Sequence, residues 1–375
     1  MPFVHTVFIP TGVPGPAKVL SVHPQTTLTH SSDAGVCTHL YTPPNLPLLF
    51  CTIRTTLYVY HLSPDRTTLT CVLENLHPAT TTITTVAYTL AGATLLLGLA
   101  DGTISVWHIP LLTAAATGSP TGLHDAAGIY RPATLRTTCP AHRAGVSRIL
   151  LHEGVGTVPW SLCSVGKDAV VRRWILKTGT EGDAAPSHLS PIGTFLLQKD
   201  PPSHYQTKAE RQTSNFAQAS SCTIALAKTR LGTCPHTMLL TAVNGLVSLV
   251  NLTEIVRYGG RVGGRVMDLT KNSGEGGGVT CATFPESVVV VKEGGHQSVY
   301  DLSDGITSTT RGGVTAMARY GDGVVCGYSD GRVVSMDSAG NIFAVGGGLG
   351  GVISICVWED VIFWGGGGGD IGVCR

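Results

Sequence analysis

The chain has 375 residues, of which 13% are charged, 43% are hydrophobic and 47 are glycine, with a formal net charge of +1. So apolar and so weakly charged a composition excludes a disordered polyelectrolyte, which needs low hydrophobicity and high net charge. Near-neutrality also excludes a global electrostatic pull on nucleic acid or anionic lipid, so direct nucleic-acid binding is not expected.

In chain order, two extended candidates come first, 4–9 and 18–23, on either side of a Pro/Gly turn. Short apolar and β-branched runs then recur in threes. The first unit is 36–42, 48–53 and 57–62; the second is 83–90, 94–100 and 103–109. The third is 146–151, 160–165 and 170–176, and the fourth is 222–228, 238–243 and 246–252. The fifth is 279–284, 287–292 and 297–302, the sixth 314–320, 324–328 and 332–336, and the seventh 352–358, 361–364 and 371–374. The last two runs of each unit meet at a corner, near Arg54, Asp101, Asp168, Asn244, Gly295, Asp330 and Asp370. Asp-Gly and Asn-Gly at such corners predict two-residue hairpin turns, whose central positions need φ > 0. Most corner intervals are close to the roughly 40–45 residues of a propeller blade. Two are longer. The excess is 111–130 in one, and in the other 177–219, which carries Pro191, Pro201, Pro202 and an outer-strand candidate at 192–198. Both read as loop insertions on a rigid scaffold, and so as candidate partner contacts.

The third unit, PAHRAGVSRILLHEGVGTVPWSLCSVGKDAVVRRWIL, carries the most chemical detail. A corner Asp can accept hydrogen bonds from a His on the preceding loop, and a middle-strand Ser and a Trp indole N–H extend that network. The candidates are His142, Ser164, Asp168 and Trp174. Asp101, Trp107, Asn244, Asp330 and Asp370 mark the turns of other units. This is the layout of a WD repeat. The expected fold is therefore all-β, a seven-bladed WD40-type β-propeller in a single domain over 1–375, closed by an N-terminal strand from 1–30. Closure removes the sheet edges that invite aggregation, and 18–23 is favoured as the closing strand because it lies nearer the first full unit.

No constellation for chemistry appears. The Gly-rich stretches 259–265, 274–278, 346–351 and 365–369 lack G-x-x-x-x-G-K-[ST] and read as connections, the last of them as a corner. His77 and His142 precede inner strands; His5, His23, His30, His39 and His61 lack metal-site spacing with a carboxylate. No G-x-S-x-G elbow is present. Catalytic, metal and cofactor sites are all read as absent, and no small-molecule substrate is expected. Arg143, Arg148, Lys167, Arg172 and Arg173 read as a solvated blade rim. The eleven cysteines show no zinc spacing and mostly fall within apolar runs, Cys163, Cys222, Cys281 and Cys356 among them. That favours a reducing compartment, cytoplasmic or nuclear. No run approaches the roughly 20 apolar residues of a membrane span, and the opening MPFVHTVFIPTGVPG lacks signal-peptide character. The expected role is a non-catalytic scaffold binding protein subunits of a larger complex. Two readings stand beside it: a propeller enzyme with a central-channel site, for example a diphthine methyl esterase-type hydrolase, and a substrate-receptor or coat-type adaptor.

A narrower resemblance runs through GLADGTISVWHI, RPATLRTTCPAHRAGVSRIL, LCSVGKDAVVRRWIL, TSNFAQASSCTIAL with MLLTAVNGLVSLVNL, and GVTAMARY with VVCGYSDGRVVSMD. In this order the pieces resemble the ASTRA-associated protein 1 family, also known as G-protein β-subunit-like protein 1. The chain departs from that pattern at Lys167, where the family has Arg, and at Met336, where it has Trp. Its last corner is GGGGGD, and an extra unit precedes the usual first one. The resemblance implies a scaffold working with the chaperone machinery that matures phosphatidylinositol-3-kinase-like kinases, linked to chromatin remodelling.

If 111–130 is a surface insertion, its deletion should leave a soluble protein that melts cooperatively. Loss of soluble material would place that stretch inside a blade.

Overall fold

Thr, Val and Ile fill the short runs of this sequence, and such residues favour extended backbone on a pleated, half-buried surface. β1 (Gln25–Leu28) is followed by β2 (Cys37–Tyr41), β3 (Leu48–Ile53), β4 (Thr56–Leu62) and β5 (Thr67–Leu73). Next come β6 (Ile83–Thr89), β7 (Thr94–Leu99), β8 (Thr103–His108) and β9 (Thr134–Pro140), then β10 (Val146–His152), β11 (Ser161–Gly166), β12 (Val170–Lys177) and β13 (His188–Leu196). β14 (Cys222–Leu231), β15 (Cys234–Val243), β16 (Leu246–Asn251) and β17 (Met267–Asp268) precede β18 (Val279–Thr283), β19 (Ser287–Lys292), β20 (His296–Asp301) and β21 (Gly305–Arg311). Last are β22 (Val314–Tyr320), β23 (Gly323–Tyr328), β24 (Val333–Met336), β25 (Ile342–Gly346), β26 (Val352–Trp358), β27 (Val361–Gly366) and β28 (Ile371–Cys374). These strands, with 35–36, 42–43, 46–47, 54–55, 81–82, 93, 100–102, 109, 141–145, 167–168, 321, 329–332, 347, 350–351, 359–360 and 367–370, are what the computed structural model describes.

The strands form seven four-stranded antiparallel sheets, six of them from consecutive strands. The seventh combines β26, β27 and β28 with β1, which pairs with β28 from Gln25↔Cys374 to Leu28↔Ile371. The innermost strands touch in cyclic order: β2, β6, β10, β14, β18, β22, β26 and back to β2. Among the described residues no helix is long and apolar enough to cross a membrane.

The core lies between neighbouring sheets, and the two-residue period of each strand assigns its side chains. Leu48 and Phe50 of β3 pack with Ile83, Leu95 and Leu97 of the second sheet. Leu49 and Cys51, one residue out of phase, pack with Phe363, Ile371 and Val373 of the seventh. In the same way Leu95 and Leu97 face the first sheet, while Leu96 joins Val146, Leu162 and Trp174 of the third. A middle strand covered on both faces has no polar side, which is why β3, β7 and β27 are buried along their whole length.

A second contact fastens sheet to sheet. In five sheets the innermost strand bulges after its first residue, at Cys37/His39, Ile83/Thr85, Val146/Arg148, Val314/Ala316 and Val352/Ser354. The bulged residue of the first, second and sixth sheets is a threonine. Thr38 donates to Thr52 O and to Ile83 O of the next sheet, both at 3.1 Å. Thr84 donates to Gly98 O and Val146 O, and Thr315 to Gly327 O and Val352 O. An inner strand is a sheet edge, with carbonyls its own sheet leaves unpaired; the neighbour's hydroxyl satisfies one of them. The following residue gives a reciprocal bond, from Leu40 N to Ser354 Oγ (3.0 Å) and from Ile149 N to Thr85 Oγ1 (3.4 Å). Glycine on the middle strand permits the approach: a Cβ on Gly98 would lie 2.5 Å from Thr85 Cγ2 and 2.8 Å from Val146 Cγ1. Gly327 against Val352 and Gly365 against Cys37 repeat that crowding.

Several expectations are corrected. The N-terminal strand that joins the seventh sheet is Gln25–Leu28, within 1–30 and just beyond 18–23; the segments 4–9 and 18–23 lie outside the described residues. The outer strands β5, β9, β21 and β25 lie outside the three-run units, because Thr-rich edge segments such as GITSTTR carry little apolar signal. The outer strand of the third sheet is His188–Leu196, earlier than 192–198, and holds Pro191 opposite Trp174 at a bulge. An edge strand tolerates proline there because no ladder hydrogen bond is lost. Gly365 and Gly366 belong to β27, so only 367–369 form the corner. The stretches 111–130, 259–265 and 274–278 lie outside the described residues, as do His77, Asn244 and Gly295 and the parts of 177–219 that flank β13.

Thr84→Val keeps the shape but strands the Val146 carbonyl, so it should cost about 1–2 kcal/mol. Calorimetric melting should show a lower Tm, and Thr84→Ser should recover most of it.

Candidate functional site

Four residues distant in sequence converge at the third sheet. His142 sits on the loop entering β10, Ser164 on β11, Asp168 at the β11–β12 corner and Trp174 on β12. His142 Nδ1 lies 3.0 Å from Asp168 Oδ1, and His142 Nε2 lies 2.9 Å from Ser164 Oγ. Trp174 Nε1–H donates to the same Ser164 oxygen at 2.9 Å. Asp168 also accepts the amides of Arg143 (3.0 Å) and Val170 (3.2 Å). A carboxylate only accepts, so Nδ1 carries the ring proton. The bonds form one chain, Trp174 Nε1–H to Ser164 Oγ, Ser164 Oγ with His142 Nε2, and His142 Nδ1–H to Asp168.

Burial alone would push the Asp168 carboxyl up, but the bonds from His142, Arg143 and Val170 more than offset it and hold its pKa below 3.8. Ser164, His142 and Asp168 have the connectivity of a hydrolytic triad. Ser164, however, is completely buried and its oxygen already accepts the Trp174 indole, so no substrate carbonyl can reach it. The network is a clasp, joining the entry loop, the corner and two strands.

The other corners are simpler. Gly102 N bonds Leu99 O at 3.1 Å and Gly331 N bonds Tyr328 O at 3.0 Å, closing four-residue turns in which only the glycines are left-handed, φ 89° and 90°. The two-residue turn expected from Asp-Gly is therefore corrected. Each Asp instead accepts the amide two residues on, Thr103 N for Asp101 (2.9 Å) and Arg332 N for Asp330 (3.1 Å), which keeps it right-handed. Asp330 also takes Arg332 Nε at 2.7 Å, and that guanidinium stands 4.8 Å over the Tyr328 ring. Trp107 donates to Ser105 at 3.0 Å, because the register puts Leu97 where the third sheet has Ser164. In the seventh sheet Trp364 takes that same position, with Gly372 opposite leaving room for its ring. Asp370 follows Gly369 at the entry to β28.

The basic residues do not form one patch. Arg143 and Lys167 are exposed beside the clasp, Arg148 is exposed on the innermost strand, and Arg172 and Arg173 are half-buried neighbours on β12 with Arg172 near Cys139. His39 is buried in β2 with no hydrogen bond to either ring nitrogen, and burial, reinforced by Arg148, lowers its pKa to about 3. Among the described residues no three His, Cys, Asp or Glu side chains are placed to hold a metal ion. Cys37, Cys51, Cys139, Cys163, Cys326, Cys356 and Cys374 are free thiols; Cys37 and Cys51 lie 3.5 Å apart, and burial raises Cys163 and Cys326 to about 12.

No protein-family model matches the chain, and no curated protein matches it in sequence. Solved structures match its shape. A chain of the mitotic checkpoint complex superposes with a TM-score of 0.60 at 12% identity, over 99% of this chain and 99% of that one. Sqt1 of Saccharomyces cerevisiae gives 0.58 at 11% identity, over 93% and 98%. The computationally designed Ika8 protein gives 0.52 at 14% identity, over 92% and 98%. This is a WD40-type β-propeller. In this propeller the clasp of the third sheet is the one corner, among the described residues, in which His, Ser, Asp and Trp all meet.

Asp168→Ala strands His142, Arg143 and Val170 in a buried site and should cost about 2–3 kcal/mol. The contribution follows pH with a definite sign. The folded-state pKa lies below 3.8, so the stabilisation is complete at neutral pH and is lost as pH falls through the folded value. Melts of the parent and of Asp168→Asn should therefore converge as the pH is lowered.

Proposed function

We propose that this protein is a non-catalytic WD-repeat scaffold, a ring of seven blades in one domain that mediates protein–protein interactions within a multiprotein complex. The observation that carries the reading is the clasp. The most reactive-looking set of side chains among the described residues is sealed inside a sheet and used to fix loops. A hydrolase needs an exposed nucleophile within reach of its base, and Ser164 has no exposure. Two of the structures that share this fold support the direction, one being part of the mitotic checkpoint complex. A rigid disc whose loops vary freely from blade to blade suits binding of protein subunits.

The resemblance to the ASTRA-associated protein 1 family narrows the proposal. It points to the cochaperone assembly that matures phosphatidylinositol-3-kinase-like kinases and to its links with chromatin remodelling, in the cytoplasm or nucleus. Affinity purification of the tagged chain, with mass spectrometry of what accompanies it, tests both levels. The expected result is a stoichiometric set of protein subunits that includes cochaperones and a large kinase. A different stable complex would retire the narrow assignment, and a chain that purifies alone would retire the scaffold.

A further inference from the structure

A hydroxyl occupies the bulged position in four of the five bulged inner strands, Thr38, Thr84, Ser147 and Thr315; the three threonines make the contact, and Ser147 Oγ is buried without a hydrogen bond. In the seventh sheet the bulged position is Ile353, which is 43% exposed. The same position in the first, second and sixth sheets reaches the first inner-strand carbonyl of the next sheet. By that pattern Ile353 stands against Cys37, the first residue of β2, and so beside Val36, which is 42% exposed. Of the three large hydrophobic residues exposed among those described, two therefore adjoin; the third, Leu135, lies apart on β9. An apolar residue placed in water where the fold favours a hydroxyl marks a surface kept for a partner.

A cation completes the patch. Arg54, at the β3–β4 corner, is exposed and left-handed, φ 53°. Its Nε lies 2.7 Å from where a Cβ on Gly35 would stand, so the guanidinium spreads over Gly35, directly beside Val36. Gly369 packs on the Gly35 carbonyl with no space for a side chain. Two aliphatic side chains and a guanidinium suit an extended peptide bearing an aliphatic residue next to a carboxylate. The aliphatic group leaves water against Val36 and Ile353, and the carboxylate takes a charge-assisted hydrogen bond from Arg54. Nucleic acid or an anionic membrane would call for many cations over a wider surface, which a net charge of +1 does not supply.

We propose that the junction of the first and seventh sheets, formed by Val36, Ile353 and Arg54, docks an acidic-aliphatic segment of a partner protein. This rests on the scaffold reading and names its surface. The test is fluorescence anisotropy of the full chain with a short fluorescein-labelled peptide in which leucine is flanked by glutamates. Ile353→Thr should weaken binding about tenfold or more, while its Tm stays level or rises, since the new hydroxyl can reach the Cys37 carbonyl. Arg54→Asn, which tolerates left-handed backbone, should weaken binding similarly and flatten its salt dependence. Control peptides with serine for leucine, or lysine for glutamate, should not bind.

No binding of the parent peptide overturns the proposal, as does unchanged affinity in Ile353→Thr. Equal affinity for a labelled DNA oligonucleotide or for phosphatidylserine vesicles also overturns it, as does a dimer of this chain dispersed by Ile353→Thr. If the peptide fails while affinity purification still yields stable subunits, the scaffold stands and only this surface falls.

Discussion

Each sheet in this protein ends, on its inner side, in a strand that has pairing partners on one flank only. Everything else depends on how those inner edges are satisfied. Three junctions use the hydroxyl of a bulged threonine, Thr38, Thr84 or Thr315, which reaches its own middle strand and the first carbonyl of the neighbouring inner strand. The bulge supplies the reach, because it turns a side chain out of the regular alternation. Middle-strand glycines at Gly98, Gly327 and Gly365 supply the proximity. Apolar packing between sheets gives the bulk of the stability, but it is tolerant of small slides; the hydroxyl bridges fix which residue meets which.

Much of this architecture is legible in the sequence, and what is not has physical causes. The three inner strands of every unit stand out, since middle strands buried on both faces read as unbroken apolar runs such as LLFCTI and TLLLGL. The clasp is equally visible, because Ala-His before β10 and Asp168 before β12 fall at the spacing that lets His142, Ser164 and Trp174 meet. Outer strands are harder to see. β9 and β21 lie toward the outside of their sheets, so their signal is threonine content rather than apolar rhythm. The two Asp-Gly corners differ from the two-residue expectation because that dipeptide suggests two left-handed residues, whereas the carboxylate captures a backbone amide and holds Asp101 and Asp330 right-handed. The threonine contact had a signal that periodicity does not weigh: the inner strands open on CT, IT, VS, CT, VT, VT and VI. Six of those seven pairs carry a hydroxyl in second place, and the exception is Ile353.

The repeats share a frame and differ in what fills it. The position of Ser164 is Leu97 in the second sheet and Trp364 in the seventh. A serine there ties the corner by polar bonds, a leucine leaves it to packing, and a tryptophan opposite Gly372 fills the same space with a ring. Such exchanges keep backbone registers alike while changing what is rigid near each corner.

β1, the first described strand, pairs with β28, the last. That pairing sets an order of events. On the ribosome the segment Gln25–Leu28 emerges before its partner Ile371–Cys374, which becomes available only when everything between them has been made. Until then the seventh sheet lacks a strand, and its edge is open to the wrong pairings that slow, long-range β topologies risk. Time spent in that unzipped state, rather than the strength of the finished ring, would govern how much newly made chain needs shelter from aggregation.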